Sequence, residues 1–196
     1  MSTDDDESPR SPLVSSSPTG DLSDCELRSV CALWSEAFPT APGRDRYAEA
    51  LARLDGAAEA REQVHAVFEA DGACVAAART FVRVVSVGGG DRRVLALAHV
   101  ATAPRARGRG LGALVFRAAM ERLSNPDDGV EESLFCTGVP AFYERLGAAV
   151  LAPLDVAYAP VGAKPFADPT FCRVATPKAP RWPDGPVLLR ANGAGW

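Results

Sequence analysis

A glycine- and arginine-rich segment in the middle of the chain has the residue types and spacing of a phosphate-binding loop. Its residues are Arg107, Gly108, Arg109, Gly110, Leu111 and Gly112. An apolar stretch precedes it and a stretch with helical spacing follows, which predicts a strand, a loop and a helix in succession. Such a junction brings free backbone N–H groups and the positive end of a helix dipole to one point. Because glycines allow close approach of the backbone and Arg105 adds charge beside the loop, we expect a diphosphate to bind here.

Two other classes of phosphate-binding loop fit this segment less well. A P-loop ends in Gly-Lys-Ser or Gly-Lys-Thr, and neither follows these glycines. The dinucleotide-binding fingerprint G-x-G-x-x-A is matched by Gly108, Gly110 and Ala113. That fingerprint normally opens a sheet and needs an acidic residue at the end of the next strand, whereas this loop lies in mid-chain and Glu131 and Glu132 precede the next strand.

Two segments together resemble the GNAT superfamily of N-acetyltransferases. The segment from Pro104 to Gly112 resembles motif A of the family, whose core is Arg/Gln-x-x-Gly-x-Gly/Ala. About thirty residues later, the segment from Phe142 to Gly147 reads Phe-Tyr-Glu-Arg-Leu-Gly and resembles motif B. With the strands around them, the resemblance covers roughly residues 21–160. We therefore expect an acyltransferase of this superfamily.

The resemblance implies an α/β (α+β) architecture, the GNAT fold. Its mixed, mostly antiparallel sheet splays apart at the central strands and is flanked by helices. Acetyl-CoA is the implied co-substrate, with no metal, and its pantetheine arm and acyl carbonyl are implied to bind backbone groups of the first central strand. The residues implied to contact acetyl-CoA are Val100, Ala101, Thr102, Arg107, Gly108, Arg109, Gly110, Leu111 and Gly112.

Tyr143 matches the tyrosine that protonates the departing thiolate in many GNAT enzymes. A phenol of reference pKa about 10 stays protonated at pH 7 and can donate to a thiolate whose thiol has a pKa of about 8.5. The alternative is an aromatic ring that only packs its helix beside Phe142. The resemblance favours the catalytic interpretation.

The candidate for the base that accepts the proton of the amine is His99, the nearest titratable side chain on the central strand. Strict alternation along the strand would point His99 to the opposite face, and a β-bulge, common in the family, would redirect it. The alternative is a histidine that is satisfied within the core. Glu69 or the C-terminal carboxylate of Trp196 acting through water are further options, His65 is a weaker one, and an amine of lowered pKa needs no base.

These residues predict direct transfer of the acetyl group of acetyl-CoA to a primary amine of a small molecule or peptide. The alternative is a non-catalytic GNAT-like module that binds acyl-CoA as a sensor or regulator, which the lack of a carboxylate on the central strand favours. Cys136 lies in an apolar strand with no histidine near it in sequence, so we do not expect a thiol nucleophile. The sequence does not identify the acceptor amine.

The end of the chain resembles that of a GNAT subgroup related to aminoglycoside 2′-N-acetyltransferases and nodulation N-acyltransferases, which share a Trp-Pro-x-Gly-type segment. Here this segment runs from Arg181 to Arg190, and the chain closes with Gly195 and Trp196. We expect it to fold over the acceptor side of the cleft, because tryptophans on so polar a tail would otherwise stay solvated. The alternative is that Trp182 and Trp196 cover a sheet edge.

Periodicity and turn residues predict the elements that position these groups. Residues 1–20, rich in Ser, Pro and Asp, are expected to form a disordered tail in which residues 13–15 are a candidate edge strand, and residues 21–196 form one domain with a proline-rich C-terminal segment. We expect helices over residues 24–38, 45–54, 111 to just before 125, and 139–146. Ser23 and Glu26 have the spacing of a capping box before the first helix, and Asp55 with Gly56 is expected to stop the second. We expect strands over residues 64–68, 74–87, 94–102 and 133–137, with a turn at residues 70–72 between the first two.

Composition limits the partners and the compartment. The chain has 196 residues, 47% of them hydrophobic, and a net charge of −4, so it lacks the basic excess of a nucleic-acid-binding protein. It has no apolar run of about 18 residues and its N-terminus is acidic, which predicts a cytoplasmic protein without a membrane segment. The five cysteines are scattered and expected to be reduced. Splayed sheets of this kind often dimerise, so a homodimer is one expectation.

Overall fold

A computed structural model of the chain describes residues 12–38, 45–52, 54–59, 61–152, 155–159, 170–184 and 188–192. The strands in these ranges are β1 (Ser15–Pro18), β2 (Gln63–Phe68), β3 (Cys74–Val87), β4 (Gly90–Thr102), β5 (Glu132–Thr137), β6 (Ala149–Val150), β7 (Asp155–Ala159), β8 (Thr170–Ala175) and β9 (Leu188–Asn192). The α-helices are α1 (Asp24–Ala37), α2 (Arg46–Leu51), α3 (Leu54–Glu59), α4 (Leu111–Glu121) and α5 (Pro140–Glu144).

All of these strands belong to one mixed sheet. The order along the sheet is β1-β2-β3-β4-β5-β8-β6, and β9 pairs with both β3 and β7. Neighbouring strands are antiparallel except for the parallel pairs β4–β5 and β7–β9. The predicted fold, a mostly antiparallel sheet with flanking helices, is confirmed.

The sheet opens between its two central strands. β4 and β5 pair only at residues 95–96 and 133–134. Beyond these positions β4 continues to Thr102 and β5 to Thr137 with no further pairing to each other. The predicted splay is confirmed, and it leaves a V-shaped cleft whose walls are the C-terminal halves of the two strands.

The two faces of β4 carry different helices. On one face, the first turn of α4 packs so closely on the strand end that a Cβ added at Gly112 would lie 3.3 Å from Thr102 Oγ1. On the other face, the α1 side chain Trp34 stacks on His99 of β4, with ring centroids 5.2 Å apart. The first eight residues of β3, next to β4, are all buried, as a strand covered on both faces requires. The cleft is therefore approached from two sides, one lined by α4 and one lined by α1 and α2.

The first helix is positioned by interactions that the sequence predicts. Ser23 accepts a hydrogen bond from Glu26 N, and the Glu26 side chain accepts one from Ser23 N, which completes the expected capping box. Along the helix, Leu27, Val30 and Trp34 recur at helical spacing and are buried in the core.

The prediction of a single helix over residues 45–54 is wrong. α2 begins after Asp45, whose carboxylate accepts from Tyr47 N and Ala48 N, and it ends at Leu51. A separate α3 then begins at Leu54 and runs through Gly56, a residue that the sequence had suggested as the stop. A Cβ at Gly56 would meet nothing within 4 Å, so no close packing requires a glycine there and α3 accommodates it at a cost of about 1 kcal/mol.

The predicted tail boundary at residue 20 is also wrong. β1 pairs antiparallel with β2, with Ser16 opposite His65, and it overlaps the candidate edge strand of residues 13–15 at Ser15. Thr19 N then donates to Glu62 O, and its hydroxyl donates to the Glu62 carboxylate. Pairing with the β2 edge offsets the low apolar content of this segment. Residues 1–11 lie outside the described part of the chain.

Candidate active site

The glycine-rich segment connects β4 to α4 through two residues with left-handed backbone. Gly108 has φ +78° and Gly110, which caps α4, has φ +74°. The first backbone hydrogen bond of the helix runs from Leu114 N to Gly110 O, over 3.1 Å. The amides of residues 111–113 therefore precede the first N–H that donates within the helix, and they point out of the helix end, where a positive dipole adds to their field. This is the geometry of an anion-binding loop at the mouth of the cleft.

The three glycines serve different purposes. A Cβ added at Gly108 or Gly110 would meet nothing within 4 Å, so these two positions need glycine because of their positive φ. At Gly112 the φ is ordinary, but a Cβ would lie 3.3 Å from Thr102 Oγ1 and 3.6 Å from Phe142 Cζ. Gly112 thus allows α4 to pack on β4 and α5, a role that the sequence had assigned to the approach of the ligand.

The charge of the loop arginines is partly balanced by Glu69, which follows β2. Arg105 Nη2 lies 3.0 Å from Glu69 Oε2, and Arg109 Nη1 lies 3.4 Å from Glu69 Oε1. More than half of each arginine side chain is exposed, so these ion pairs are screened by solvent. Glu69, one of the candidate bases, is thereby held at the glycine-rich loop.

Tyr143 projects from α5 into an aromatic cluster on the α4 side of the cleft. The rings within 5.3 Å of its own are Phe116, Phe135 and Phe142. Only 7% of the residue is exposed, and this burial raises the pKa of the phenol to about 12, while a hydrogen bond with the Thr137 side chain acts in the opposite direction. The phenol is therefore protonated at neutral pH, as a proton donor must be.

A β-bulge turns His99 toward α1. Arg79 of β3 pairs with Ala98 and Ala77 pairs with Ala101, so the two residues between them on β4 face only one on β3. His99 has φ +54° at this bulge, and its ring lies 5.5 Å from that of Phe38, next to the Trp34 ring. The strand thus contains a bulge at His99 of the kind that the sequence analysis considered.

The Nε2 atom of His99 is engaged by an arginine of α2. Arg46 Nη1 lies 3.2 Å from His99 Nε2, and Arg46 Nη2 donates to Phe38 O over 2.8 Å. Because a guanidinium only donates, Nε2 is the acceptor and the ring proton of neutral His99 is on Nδ1. For His99 to take a proton on Nε2, this bond must first break.

His65 is a core histidine with hydrogen-bond partners at both ring nitrogens. Its Nε2 lies 2.9 Å from Thr80 Oγ1 and its Nδ1 lies 2.8 Å from Ser16 Oγ, while Arg122 Nη1 donates to the same Thr80 oxygen over 2.8 Å. Burial first, and then the nearby Arg122 charge, lower the pKa of His65 to about 4. His65 is neutral at pH 7 and lies on the α4 face of β2, where it joins β1 to β3.

The remaining candidates lie along the cleft walls. Ala101 and Thr102 pair with β3, Val100 belongs to the bulge, and none of the three pairs with β5, so this strand end lies on the open side of the sheet. Burial raises the pKa of the Cys136 thiol on β5 to about 11, which keeps it protonated at neutral pH. In the ranges that the structure covers, no cluster of three or more His, Cys, Asp or Glu side chains could hold a metal ion.

The described part of the C-terminal segment lies at the other end of the sheet. The Trp182 ring is 5.6 Å from the guanidiniums of both Arg92 and Arg173, which also pair with the buried Glu132. An open groove of about 760 Å³ adjoins this cluster between the starts of β4 and β5. β9 pairs with the end of β3. Trp196 lies outside the described residues.

Residues 21–151 match the family model of an acetyltransferase (GNAT) domain. The chain belongs to this GNAT family. No curated protein matches its sequence. None of the helices in the described ranges is long and apolar enough to cross a membrane.

Solved structures of GNAT proteins share the fold. A GCN5-related N-acetyltransferase from Kribbella flavida is 22% identical with a TM-score of 0.56, and the match covers 71% of this chain but only 33% of that one. The GNAT protein YhbS from Escherichia coli, solved in complex with CoA, is 18% identical with a TM-score of 0.57, covering 90% of this chain and 88% of that one. A phosphinothricin acetyltransferase from Sinorhizobium meliloti, solved with AcCoA, is 16% identical with a TM-score of 0.58, covering 88% and 94%.

Sequence reasoning missed the partners of two candidate residues. Arg46 lies 53 positions before His99, and Glu69 lies 36 and 40 positions before the arginines that it bridges. No spacing rule links residues so far apart. A signal for Arg46 was its place on a helix next to aromatic residues, but that pattern is equally typical of a solvated helix face.

Proposed function

We propose that this chain binds acetyl-CoA at residues 107–112 and transfers its acetyl group to a primary amine of a small molecule or peptide. One observation carries the proposal: the two left-handed glycines and the free amides of α4 lie where β4 and β5 separate. A diphosphate on these amides directs the pantetheine arm into the cleft. The family and the CoA-bound neighbours support this choice of co-substrate.

The residues of the loop fit acetyl-CoA. Gly108 and Gly110 have no atom within 4 Å of where a Cβ would stand, so a diphosphate can approach the backbone closely. The N–H groups of residues 111–113 precede the first backbone hydrogen bond of α4, and the Arg107 side chain is exposed beside them. Arg105 and Arg109 add charge once the phosphates compete with Glu69 for them.

In the proposed reaction the amine nitrogen bonds to the acyl carbon, the carbon–sulfur bond breaks and the thiolate leaves. The backbone at residues 100–102 orients the acyl group, and loss of one N–H donor to a developing oxyanion typically raises a barrier by about 3 kcal/mol. Tyr143 donates its proton to the thiolate, and the proton of the amine passes to solvent. The burial and raised pKa of Tyr143 keep this proton in place between turnovers.

We propose that the amine enters in its neutral form. His99 stays the candidate base from the sequence, but its Nε2 accepts from Arg46, and the proximity of a guanidinium disfavours the charged form of an amine bound there. A neutral amine attacks without a dedicated base. The pH profile of kcat/KM should then follow the pKa of each acceptor, and it should be unchanged in His99→Gln.

Product formation tests the proposed function. The purified chain is incubated with acetyl-CoA and a panel of primary amines, acetylated products are sought by mass spectrometry, and acetyl-CoA binding is measured by calorimetry. We expect free CoA and an acetylated amine in equal amounts. Binding of acetyl-CoA with no product from any amine would instead support the acyl-CoA-binding module.

A further inference from the structure

Two arginines at the glycine-rich loop converge on one carboxylate from another part of the chain. Arg105 Nη2 lies 3.0 Å from Glu69 Oε2, and Arg109 Nη1 lies 3.4 Å from Glu69 Oε1. Glu69 follows β2 at the turn into β3, so the sheet brings its carboxylate to the loop. Two guanidiniums and one carboxylate leave an excess of one positive charge. These three side chains therefore form a place that already holds two carboxylate oxygens and suits a more highly charged anion.

This place differs from the helix end that faces the diphosphate. A Cβ added at Gly108 or Gly110 would have neither the Glu69 carboxylate nor the Arg105 guanidinium within 4 Å. The free amides of residues 111–113 lie at the start of α4, whereas Glu69 holds the arginines toward the turn between β2 and β3. The loop thus offers two neighbouring positions for anions, one made of backbone N–H groups and one made of guanidiniums.

The two positions match the two phosphate groups of CoA. The diphosphate carries one charge on each phosphorus, whereas the 3′-phosphate is a monoester with a charge of about −1.5 to −2 at neutral pH. Such a monoester has three terminal oxygens, and guanidiniums bind it with charge-assisted, fork-like hydrogen bonds. Only a ribose separates the two groups, so both can occupy neighbouring positions at the same time.

We propose that Arg105 and Arg109 bind the 3′-phosphate of acetyl-CoA, and that this phosphate displaces the Glu69 carboxylate from them. This inference rests on the proposed function and adds to its donor site a means of distinguishing CoA from 3′-dephospho-CoA. More than half of each arginine side chain and about a third of Glu69 are exposed. The displacement therefore breaks only ion pairs that solvent already screens.

Calorimetry with CoA and 3′-dephospho-CoA tests this assignment. The quantity compared is the ratio of the two dissociation constants, because contacts with the diphosphate and the pantetheine arm are common to both compounds and cancel. We expect wild type to bind CoA about 10- to 100-fold more tightly than 3′-dephospho-CoA. In the double variant Arg105→Gln/Arg109→Gln this ratio should approach 1, mainly through weaker binding of CoA.

Arg107→Gln is the matched control. Arg107 carries the same charge in the same loop, and it makes no ion pair with Glu69 in the described part of the chain. This variant should weaken both compounds to a similar extent and keep the wild-type ratio. Glu69→Gln should raise the ratio, because the side chain then no longer competes with the 3′-phosphate for the two arginines. A loss of folding would not change the ratio in opposite directions in the two kinds of variant.

The same titrations separate this inference from the proposed function. Tight binding of both compounds by wild type with a ratio near 1 would overturn the role of the two arginines and leave the donor site standing. A ratio that falls as much in Arg107→Gln as in the double variant would also overturn it, since the charge of the whole loop would then explain the discrimination. If neither compound binds, the donor site itself is wrong, and this inference is wrong with it.

Discussion

The two sides of the cleft are built in different ways. On the α4 side, the candidate groups come from two continuous segments, residues 107–112 and the start of α5 with Tyr143. On the α1–α2 side, His99 and Arg46 meet from positions 53 residues apart. The first side resembles other GNAT proteins in its local sequence, whereas the second depends on how this chain packs. Binding of the acetyl donor should therefore respond to substitutions on the α4 side.

The strongest contrast is expected between glycines with the same backbone conformation. Gly110→Val forces a β-branched residue into φ +74° at the loop, and we expect acetyl-CoA affinity to fall at least about 100-fold because the Cβ and methyl groups block the diphosphate. Gly89→Val is the control, since Gly89 has φ +84° and equally open surroundings in the β3–β4 turn. Calorimetry with acetyl-CoA measures both.

A substitution at Gly112 distinguishes the packing of α4 from the approach of a ligand to the same loop. Gly112→Val should lower the melting temperature more than Gly110→Val, because its side chain would collide with Thr102 and Phe142. Thermal unfolding in the absence of acetyl-CoA measures this difference. Equal melting temperatures, together with unchanged acetyl-CoA affinity in Gly110→Val, would remove the basis for the loop as the donor site.

Tyr143→Phe should slow the acetyl transfer without weakening acetyl-CoA binding. We expect kcat to fall about 100-fold with nearly unchanged acetyl-CoA affinity, because the ring stays in its aromatic cluster and only the proton donor is lost. Tyr47→Phe is the matched control, since Tyr47 is half-buried on α2 and its hydroxyl donates to Asp24. In wild type the proton of Tyr143 should not limit kcat below about pH 10, since its pKa is about 12. An unchanged kcat in Tyr143→Phe would mean that Tyr143 only packs against its neighbours and donates no proton.

His65 should make the α4 side sensitive to acid. Its folded pKa of about 4 lies below the ordinary 6.5, so between these values the unfolded chain binds more protons than the folded one. The stability contributed by neutral His65 is complete above about pH 6.5 and is lost as pH falls toward 4, by about 3 kcal/mol in total. Urea unfolding at pH 7.5, 5.5 and 4.5 measures this dependence. In His65→Asn the free energy of unfolding should depend less on pH. If its pH dependence is the same as in wild type, groups other than His65 cause it.

The smallest effect is expected at Glu69. Glu69→Gln removes the carboxylate that pairs with Arg105 and Arg109, and it should tighten acetyl-CoA binding about fivefold at low salt, less at high salt. Asp71→Asn, in the same β2–β3 turn, is the control because its side chain bonds only the nearby Ala73 amide in the described structure. Weaker binding in Glu69→Gln would mean that Glu69 holds the arginines in a productive position.

The local elements could be read from the sequence where one pattern dominates a short stretch. The capping box at Ser23, the turn at Asp71 and Gly72, and the apolar run of β4 each depend on neighbouring residues, and each is confirmed. The boundary between α2 and α3 and the pairing of β1 could not be read in this way. Both depend on contacts with distant parts of the chain, which weigh more than local propensity in short elements.

The sequence by itself determined the GNAT family, the splayed sheet and the loop of residues 107–112, because backbone amides at a helix start bind anions wherever that local order occurs. Only the tertiary structure decided that His99 faces α1, that its Nε2 accepts from Arg46, and that Glu69 lies on the loop arginines. A single extra residue in a strand reverses which face a side chain points to, and alternation along the sequence does not reveal where that residue is inserted. The arrangement of side chains on the α1–α2 side of the cleft could therefore be learned only from the tertiary structure.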